Sequence, residues 1–276
     1  MNIQRRDFLK TSLAASATAA LATRSAAAST GSGSPGEYYE LRSYRLKPGA
    51  SQVPLDKYLE KGLIPALDKR GIKNVGVFTE LEVDRKAVTS KPKVDSPVWV
   101  LIPHATLQSF VDVGTTANAD PAVQQAGAGY LDAPKADPAF DRIDTWLYVS
   151  FIGMPKLEVP AFSKSKAAAR VFEMRDYESH SELKALNKIA MFNAGEIQVM
   201  KELGMSPVCY GQSLAGPNLP HLRYFTGGKD LAAHLGNWGK FGSHPIWMKL
   251  KEDPQFQENT SKNTSRFLAP KPYSVI

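Results

Sequence analysis

Polar and apolar residues alternate along Tyr38–Arg45 and again along Val171–Tyr177, the two-residue period of strands with two different faces. Behind each strand the period lengthens to that of a helix. In Ser51–Arg70 the apolar positions are Leu55, Leu59 and Leu63, with Pro65 expected to kink the helix and Gly71 to stop it. In Ser181–Leu203 the stripe runs through Leu183, Leu186, Ala190, Ile197 and Met200. Second strands follow at Val75–Leu81 and Val208–Leu214, and third strands at Val98–Ile102 and His221–Thr226. A long polar connection around Lys91-Pro92 joins the first such pair, and the short turn Ala215-Gly216-Pro217-Asn218 joins the second. Shorter helices are predicted from near Ala105, from Asp120-Pro121, from near Lys229 and from Ser243-His244-Pro245. Ile143–Ile152 and Arg266–Tyr273 close the two series, and Pro270 and Pro272 are expected to confine the latter to an edge or an extended tail.

The chain therefore writes β-α-β-β-α-β twice. Glu40-Leu41-Arg42-Ser43-Tyr44 returns 133 residues later as Glu173-Met174-Arg175-Asp176-Tyr177, and the same offset carries Gly62, Ile64, Gly71 and Val75 onto Gly195, Ile197, Gly204 and Val208. Seven ungapped identities result over residues 40–78, where ordinary composition gives roughly two or three. Such a unit covers one sheet face with its helices and leaves the other bare, so two units on one chain bury both bare faces by packing them together. The expected fold class is α+β: two tandem ferredoxin-like units packed sheet to sheet as a pseudo-dimeric α/β barrel. The expected boundaries are 38–154 for the first unit, 155–169 for a linker and 170–276 for the second unit.

Residues 1–28 read as an address. Arg5-Arg6 precedes the alanine-rich stretch Leu13–Ala22, and Ala26-Ala27-Ala28 offers a small-residue cleavage site, so the segment resembles a twin-arginine (Tat) export signal, with Gln4 where a hydroxyl residue usually stands. The expected destination is the periplasm or another exported location. Residues 29–37 form a Ser/Gly linker whose formal G-x-G-x-x-G follows no strand and carries no nucleotide-binding meaning. Export changes the charge balance: Arg5, Arg6, Lys10 and Arg24 against Asp7 account for +3 of the total +7, so +4 remains after cleavage at Ala28. That charge is scattered, which argues against nucleic acid as a partner, and no mature segment has the length of a transmembrane span. Cys209 is the only cysteine and sits in an apolar run, so stability must come from burial.

A family resemblance rests on three stretches. Tyr39–Tyr44 followed by Leu46-Lys47-Pro48-Gly49 is similar to the opening of NIPSNAP-family domains, members of the dimeric α/β-barrel superfamily. Phe241-Gly242-Ser243-His244-Pro245-Ile246-Trp247 is similar to the family's aromatic, small, acid-Pro-x-Trp helix start, with His244 in place of the acid, and Leu268–Ile276 resembles the Pro-rich Tyr-Ser ending of bacterial members. The first repeat keeps the opening but has Asp120-Pro121-Ala122-Val123 where the tryptophan motif would fall. The resemblance implies the barrel fold. It implies no single function, because the superfamily includes cofactor-free oxygenases, haem proteins and binding modules.

Strand alternation nominates the chemistry. Tyr39 and Leu41, with Phe172 and Met174, share one face, expected under the helices; Glu40, Arg42 and Tyr44, with Glu173, Arg175 and Tyr177, share the other, expected to face a common interior. These six are the ligand-pocket candidates, either as a structural ion-pair network or as a site for a small anionic or carbonyl ligand. No catalytic residue is assigned. His180, His221, His234 and His244 fall in the second unit without metal-ligand spacing, so no metal or cofactor is assigned either. Trp99, Trp146, Trp238 and Trp247 are expected as core or interface anchors. The leading functional expectation is an exported small-molecule-binding or interaction module. A cofactor-independent oxygenase or isomerase, a haem- or metal-binding protein, and homo-oligomerisation stay open.

Overall fold

The computed structural model describes residues 36–276; the export segment, including Arg5-Arg6 and Ala26–Ala28, lies outside them. Both repeats fold as their patterns require. In the first, β1 (Tyr38–Arg45) leads into a long helix α1, made of Val53–Lys57, a π turn at Tyr58–Leu63 and Ile64–Lys69. Then come β2 (Gly76–Asp84), β3 (Thr89–Pro92), β4 (Val98–His104), α2 (Leu107–Thr116), α3 (Pro121–Leu131) and β5 (Arg142–Ser150). In the second, β6 (Val171–Glu178) leads into α4, made of Glu182–Met191, a π turn at Phe192–Glu196 and Ile197–Glu202. It continues with β7 (Cys209–Ala215), β8 (His221–Gly228), α5 (Leu231–Phe241), α6 (Pro245–Glu252) and β9 (Lys262–Pro270). Thr106, Asp120, Ser181, Asp230 and His244 cap the helices that follow them. The long helices stop at the equivalent residues Gly71 and Gly204, whose φ of +83° and +70° favour glycine.

Pairing runs β1-β4-β2-β9-β6-β8-β7-β5 and returns to β1, antiparallel at every step, so the two four-stranded sheets close into one barrel. Residues 155–169 are not a free tether: they include one helical turn, Ala161–Lys164, and pack Leu157 and Phe162 against the barrel's interior cluster. Two expectations are corrected. The polar stretch near Lys91 is itself a strand, β3, which extends the β2 ribbon beyond the barrel. β9 is no edge: it pairs with β6 on one side and with β2 on the other, and Pro270 is tolerated because it is the strand's last residue.

The third correction concerns the faces. Tyr39, Leu41, Phe172 and Met174 point into the barrel with Phe78, Trp99, Leu101, Trp146 and Phe225, not under the helices. An eight-stranded barrel is just wide enough to be filled by side chains, and here the filling is aromatic: Phe78 lies 5.3 Å from Phe172 and Trp99 lies 5.7 Å from Trp146. Toward one end the filling turns polar. Asp176 takes a bidentate bond from Arg223 and another, at 2.7 Å, from Arg266, while the Arg223 guanidinium lies 4.7 Å over Trp146. Glu40, Arg42 and Tyr44, like Glu173, Arg175 and Tyr177, instead face outward, each triplet beneath its own unit's helices. They share no interior.

Candidate functional site

Beneath the first unit's helices the triplet is enclosed. Arg42 donates to Glu40 at 2.5 Å and to Tyr44 Oη at 3.3 Å, and His104 Nε2 reaches the other Glu40 oxygen at 3.1 Å. Burial alone would raise the Glu40 pKa, but the His104 hydrogen bond and the Arg42 charge bring it below its ordinary value. Tyr44 meets Tyr130 edge-on and Tyr58 stacks on Tyr130 at 4.7 Å, so aromatic rings fill the adjoining space. His104 was not singled out from sequence; its signal was a polar residue ending the apolar run of β4.

Beneath the second unit's helices the same triplet has a different setting. Glu173 is fully buried and accepts from His234 Nε2 at 2.8 Å, Trp238 Nε1 at 2.6 Å, Arg175 Nη1 at 3.0 Å and the Ser265 hydroxyl. Arg85, on the β2–β3 ribbon of the first unit, reaches it at 3.4 Å. Against the opposing effect of burial, these donors, led by His234 and Arg175, lower the Glu173 pKa to about 2. Arg175 is thereby held with its guanidinium 4.5 Å over the Trp238 ring and 5.6 Å from that of Tyr177. Tyr177 Oη shares a 2.9 Å hydrogen bond with Tyr224 Oη.

Arg175 opens onto a cavity of about 410 Å³ between the sheet and α4, α5 and α6, walled by Tyr177, Lys188, Glu196, Trp238 and Trp247. Glu173 anchors that wall from behind. A larger cavity of about 480 Å³ on the first unit is lined by Asn118, Gln124, Ala128, Leu131 and Asp132, without a cation or an aromatic ring. Glu40, Arg42 and Tyr44 line neither.

Lys188 and Glu196 were not found from sequence. Lys188 Nζ donates to Glu196 Oε2 at 2.8 Å, both side chains are almost wholly buried, and Nζ lies 4.9 Å from the Phe192 ring and 5.4 Å from that of Tyr177. Burial raises the Glu196 pKa, with Lys188 offsetting part of the effect. The cause of the miss is the π turn. It adds one residue and so shifts the helical phase by about 100°. Upstream of it α4 buries Ala185, Lys188 and Met191, while Leu183 and Leu186 of the expected stripe are exposed. The turn itself lets α6 approach, since a Cβ on Gly195 would lie 2.7 Å from Ile246 Cγ2. It occurs at the equivalent place in α1, so Pro65, which has no counterpart in α4, does not create it.

Of the tryptophans, Trp99 and Trp146 are barrel core, whereas Trp238 and Trp247 face the cavity. The second-unit histidines are dispersed: His221 bonds Tyr148 at 3.2 Å, His244 bonds Glu202 at 3.0 Å, and His234 is occupied by Glu173. Among the described residues no three metal-type side chains come together, and no helix is long and apolar enough to cross a membrane.

The closed antiparallel barrel of two ferredoxin-like halves defines the class, a dimeric α/β-barrel protein built on one chain. A candidate monooxygenase from Lactobacillus acidophilus shares this fold with a TM-score of 0.50 and 8% identity, over 85% of this chain and 94% of its own. A second, from Fusobacterium nucleatum, gives the same TM-score and identity over 86% and 93%. At this identity the likeness is one of fold. Residues 172–275 match the NIPSNAP family model and residues 2–22 match the model of twin-arginine translocation signal sequences. The chain thus carries a NIPSNAP domain in its second half and a Tat signal at its start. A NIPSNAP family protein of Agrobacterium tumefaciens aligns over 38% of this chain and 90% of its own at 17% identity, TM-score 0.35. No curated protein matches the chain.

Proposed function

We propose that the mature protein is a periplasmic small-molecule-binding protein whose second unit takes a flat, largely apolar ligand carrying an anionic or carbonyl oxygen. The observation that carries this is Arg175: a guanidinium stacked on Trp238, anchored through one amino group to a fully buried glutamate, at the wall of a 410 Å³ cavity. Its equivalent, Arg42, sits among packed tyrosines. Around the cavity Arg175, Lys188 and Lys251 against Glu173 and Glu196 leave one positive charge in excess, which favours an anion. The rings of Trp238, Trp247 and Phe241 offer stacking surface. Residues 38–154, on this reading, are a diverged NIPSNAP-like unit kept for the barrel, joined through 155–169 to the unit at 170–276 that binds.

A second reading, a cofactor-independent isomerase or oxygenase, draws on the Lys188–Glu196 pair. It places the chemistry in this outer cavity, because the barrel interior is packed. None of the histidines lines the cavity, so a haem or metal site built on a second-unit histidine finds no support there.

Calorimetric titration of the mature protein with 2-naphthoate tests the binding reading. Arg175→Met should weaken binding roughly ten- to a hundredfold, the worth of a charge-assisted hydrogen bond, and Arg42→Met should leave it unchanged. Absence of saturable binding, or equal loss in both variants, would refute it.

A further inference from the structure

The two repeats supply an internal control for every buried group. Offset by 133 residues, Lys188 and Glu196 correspond to Leu55 and Leu63, which are 1% and 0% exposed in α1. One unit thus buries two leucines where the other buries an ammonium and a carboxylate. Replacing a buried ion pair by leucines is often neutral or stabilising, so the fold does not need the charges. They stand in the wall of the 410 Å³ cavity of the second unit. Glu196 binds Lys188 through Oε2 alone; among the described residues Oε1 takes no hydrogen bond, and the residue lines the cavity.

We infer that Lys188 and Glu196 form a proton-transfer couple, and that the cavity takes ligands with an ionisable hydroxyl or an enolisable carbonyl and holds them as the oxyanion. This rests on the cavity being a ligand site. The step is balanced within the site. Glu196 Oε1 accepts the proton; the ligand's O–H bond, or the C–H bond beside its carbonyl, breaks; and the electron pair stays on the ligand as phenolate or enolate oxygen. Protonated Glu196 releases its hold on Lys188, whose ammonium then faces the new oxyanion together with Arg175. The negative charge has moved from one neighbour of Lys188 to another, so the buried site keeps its net charge and pays no new desolvation. Returning the proton to a different carbon of an enolate is an isomerisation, and no oxidant is needed.

The surroundings suit this exchange. Burial raises the Glu196 pKa above its ordinary value, against the opposing charges of Lys188 and Arg175, which makes it a stronger base than an exposed carboxylate. The groups facing it are Lys188 on its own helix, Arg175 and Tyr177 from β6, Tyr210 and Tyr224 from β7 and β8, and Lys251 across the cavity from α6.

The probe is 7-hydroxycoumarin-3-carboxylate, with a carboxylate for Arg175 and a phenol whose ionisation shows in its absorbance. About one pH unit below its free pKa, roughly a tenth of it is phenolate in water. Bound to the wild-type protein it should show a predominantly phenolate spectrum, with no proton released when titrations in buffers of different ionisation enthalpy are compared. Glu196→Gln should also hold phenolate but release a proton to the buffer. Lys188→Leu with Glu196→Leu, which restores the first unit's residues, should bind the probe as neutral phenol, its phenolate fraction lower by tenfold or more. A neutral spectrum in the wild type, or equal proton release from the wild type and Glu196→Gln, would overturn the inference. 2-Naphthoate separates the two failures: its binding beside a neutral coumarin overturns proton transfer alone, and binding of neither compound overturns the cavity reading as well.

Discussion

Lys188→Leu is the most informative single change, because its cost can be worked from burial and ordinary titration behaviour. Glu196 is 2% exposed, and without Lys188 its carboxylate has no counter-charge within bonding distance. Folding then requires the protonated acid. The unfolded chain holds that proton only below a pKa of about 4.3, so at pH 7 the penalty approaches about 3.7 kcal/mol, at 1.36 kcal/mol per pH unit. The sign follows directly. Between those pH values the native state carries one more proton than the unfolded state, so stability falls as pH rises, and the variant's deficit should shrink as pH drops from 7 toward 4.5. Glu196→Leu leaves a buried ammonium and should show the opposite slope, regaining stability as pH rises. The double leucine variant should show neither added slope and should be at least as stable as the wild type, since Leu55 and Leu63 fill the equivalent positions of α1 fully buried. Urea unfolding at half-unit pH intervals, followed by tryptophan fluorescence, measures all three. A double variant as unstable as the singles, or singles without opposing slopes, would refute the claim that the pair is foreign to the fold's needs.

Other expectations follow from the same geometry. Arg42→Met should cost on the order of 3 kcal/mol, since Glu40 would keep only His104, and adding Glu40→Leu should recover much of it in urea melts. Arg175→Met should cost less than about 1 kcal/mol, because Glu173 retains His234, Trp238, Ser265 and Arg85; a loss as large as that of Arg42→Met would contradict this account. Glu173, with its pKa lowered from 4.5 to about 2, contributes roughly 3 kcal/mol that is present above pH 4.5 and lost as pH falls through 2. Acid unfolding of Glu173→Gln should therefore lack that segment of the wild-type pH dependence. Replacing Arg5 and Arg6 together by lysine should leave uncleaved precursor in the cytoplasm, visible by fractionation and immunoblotting, whereas undiminished export would count against the Tat route.

What was legible in the sequence was whatever depends on local period. The strands β1 and β6, the glycine stop at Gly71 and its offset match Gly204, the cap at Asp120, the helix start at His244 and the duplication itself all follow from neighbouring residues and fixed offsets. Direction was not legible. Two-residue alternation divides Tyr39 and Leu41 from Glu40 and Arg42, but in a closed barrel wrapped by helices both faces are buried, at 1% and 0% for the former pair and 3% for Glu40. Polarity then does not say which face is inside. The middle of the barrel takes the large apolar set because it has no route to water, while the end at Asp176, Arg223 and Arg266 and the layer under the helices reach solvent at their margins and hold ionised groups. The Lys188–Glu196 pair was hidden for a different reason: a helix read at constant 3.6 period points Leu183 and Leu186 inward, and one additional residue in the π turn reverses that choice.

Duplication explains why chemistry can collect in one half. Closing the barrel needs two sheets and a filled interior, and both units contribute to that filling through Leu41, Trp99, Phe172 and Phe225. The layer between sheet and helices is a separate compartment in each unit, so its contents can change without opening the barrel. In the first unit Tyr58, Tyr130 and the leucines of α1 occupy that layer. In the second the corresponding space holds an ion pair, two tryptophans and a cavity, while Glu173 fixes Arg175 from behind with a hand from Arg85 of the first unit. The second unit on its own would therefore lack one of the donors to its central carboxylate and half of its barrel, which is a physical reason for the two to remain on one chain.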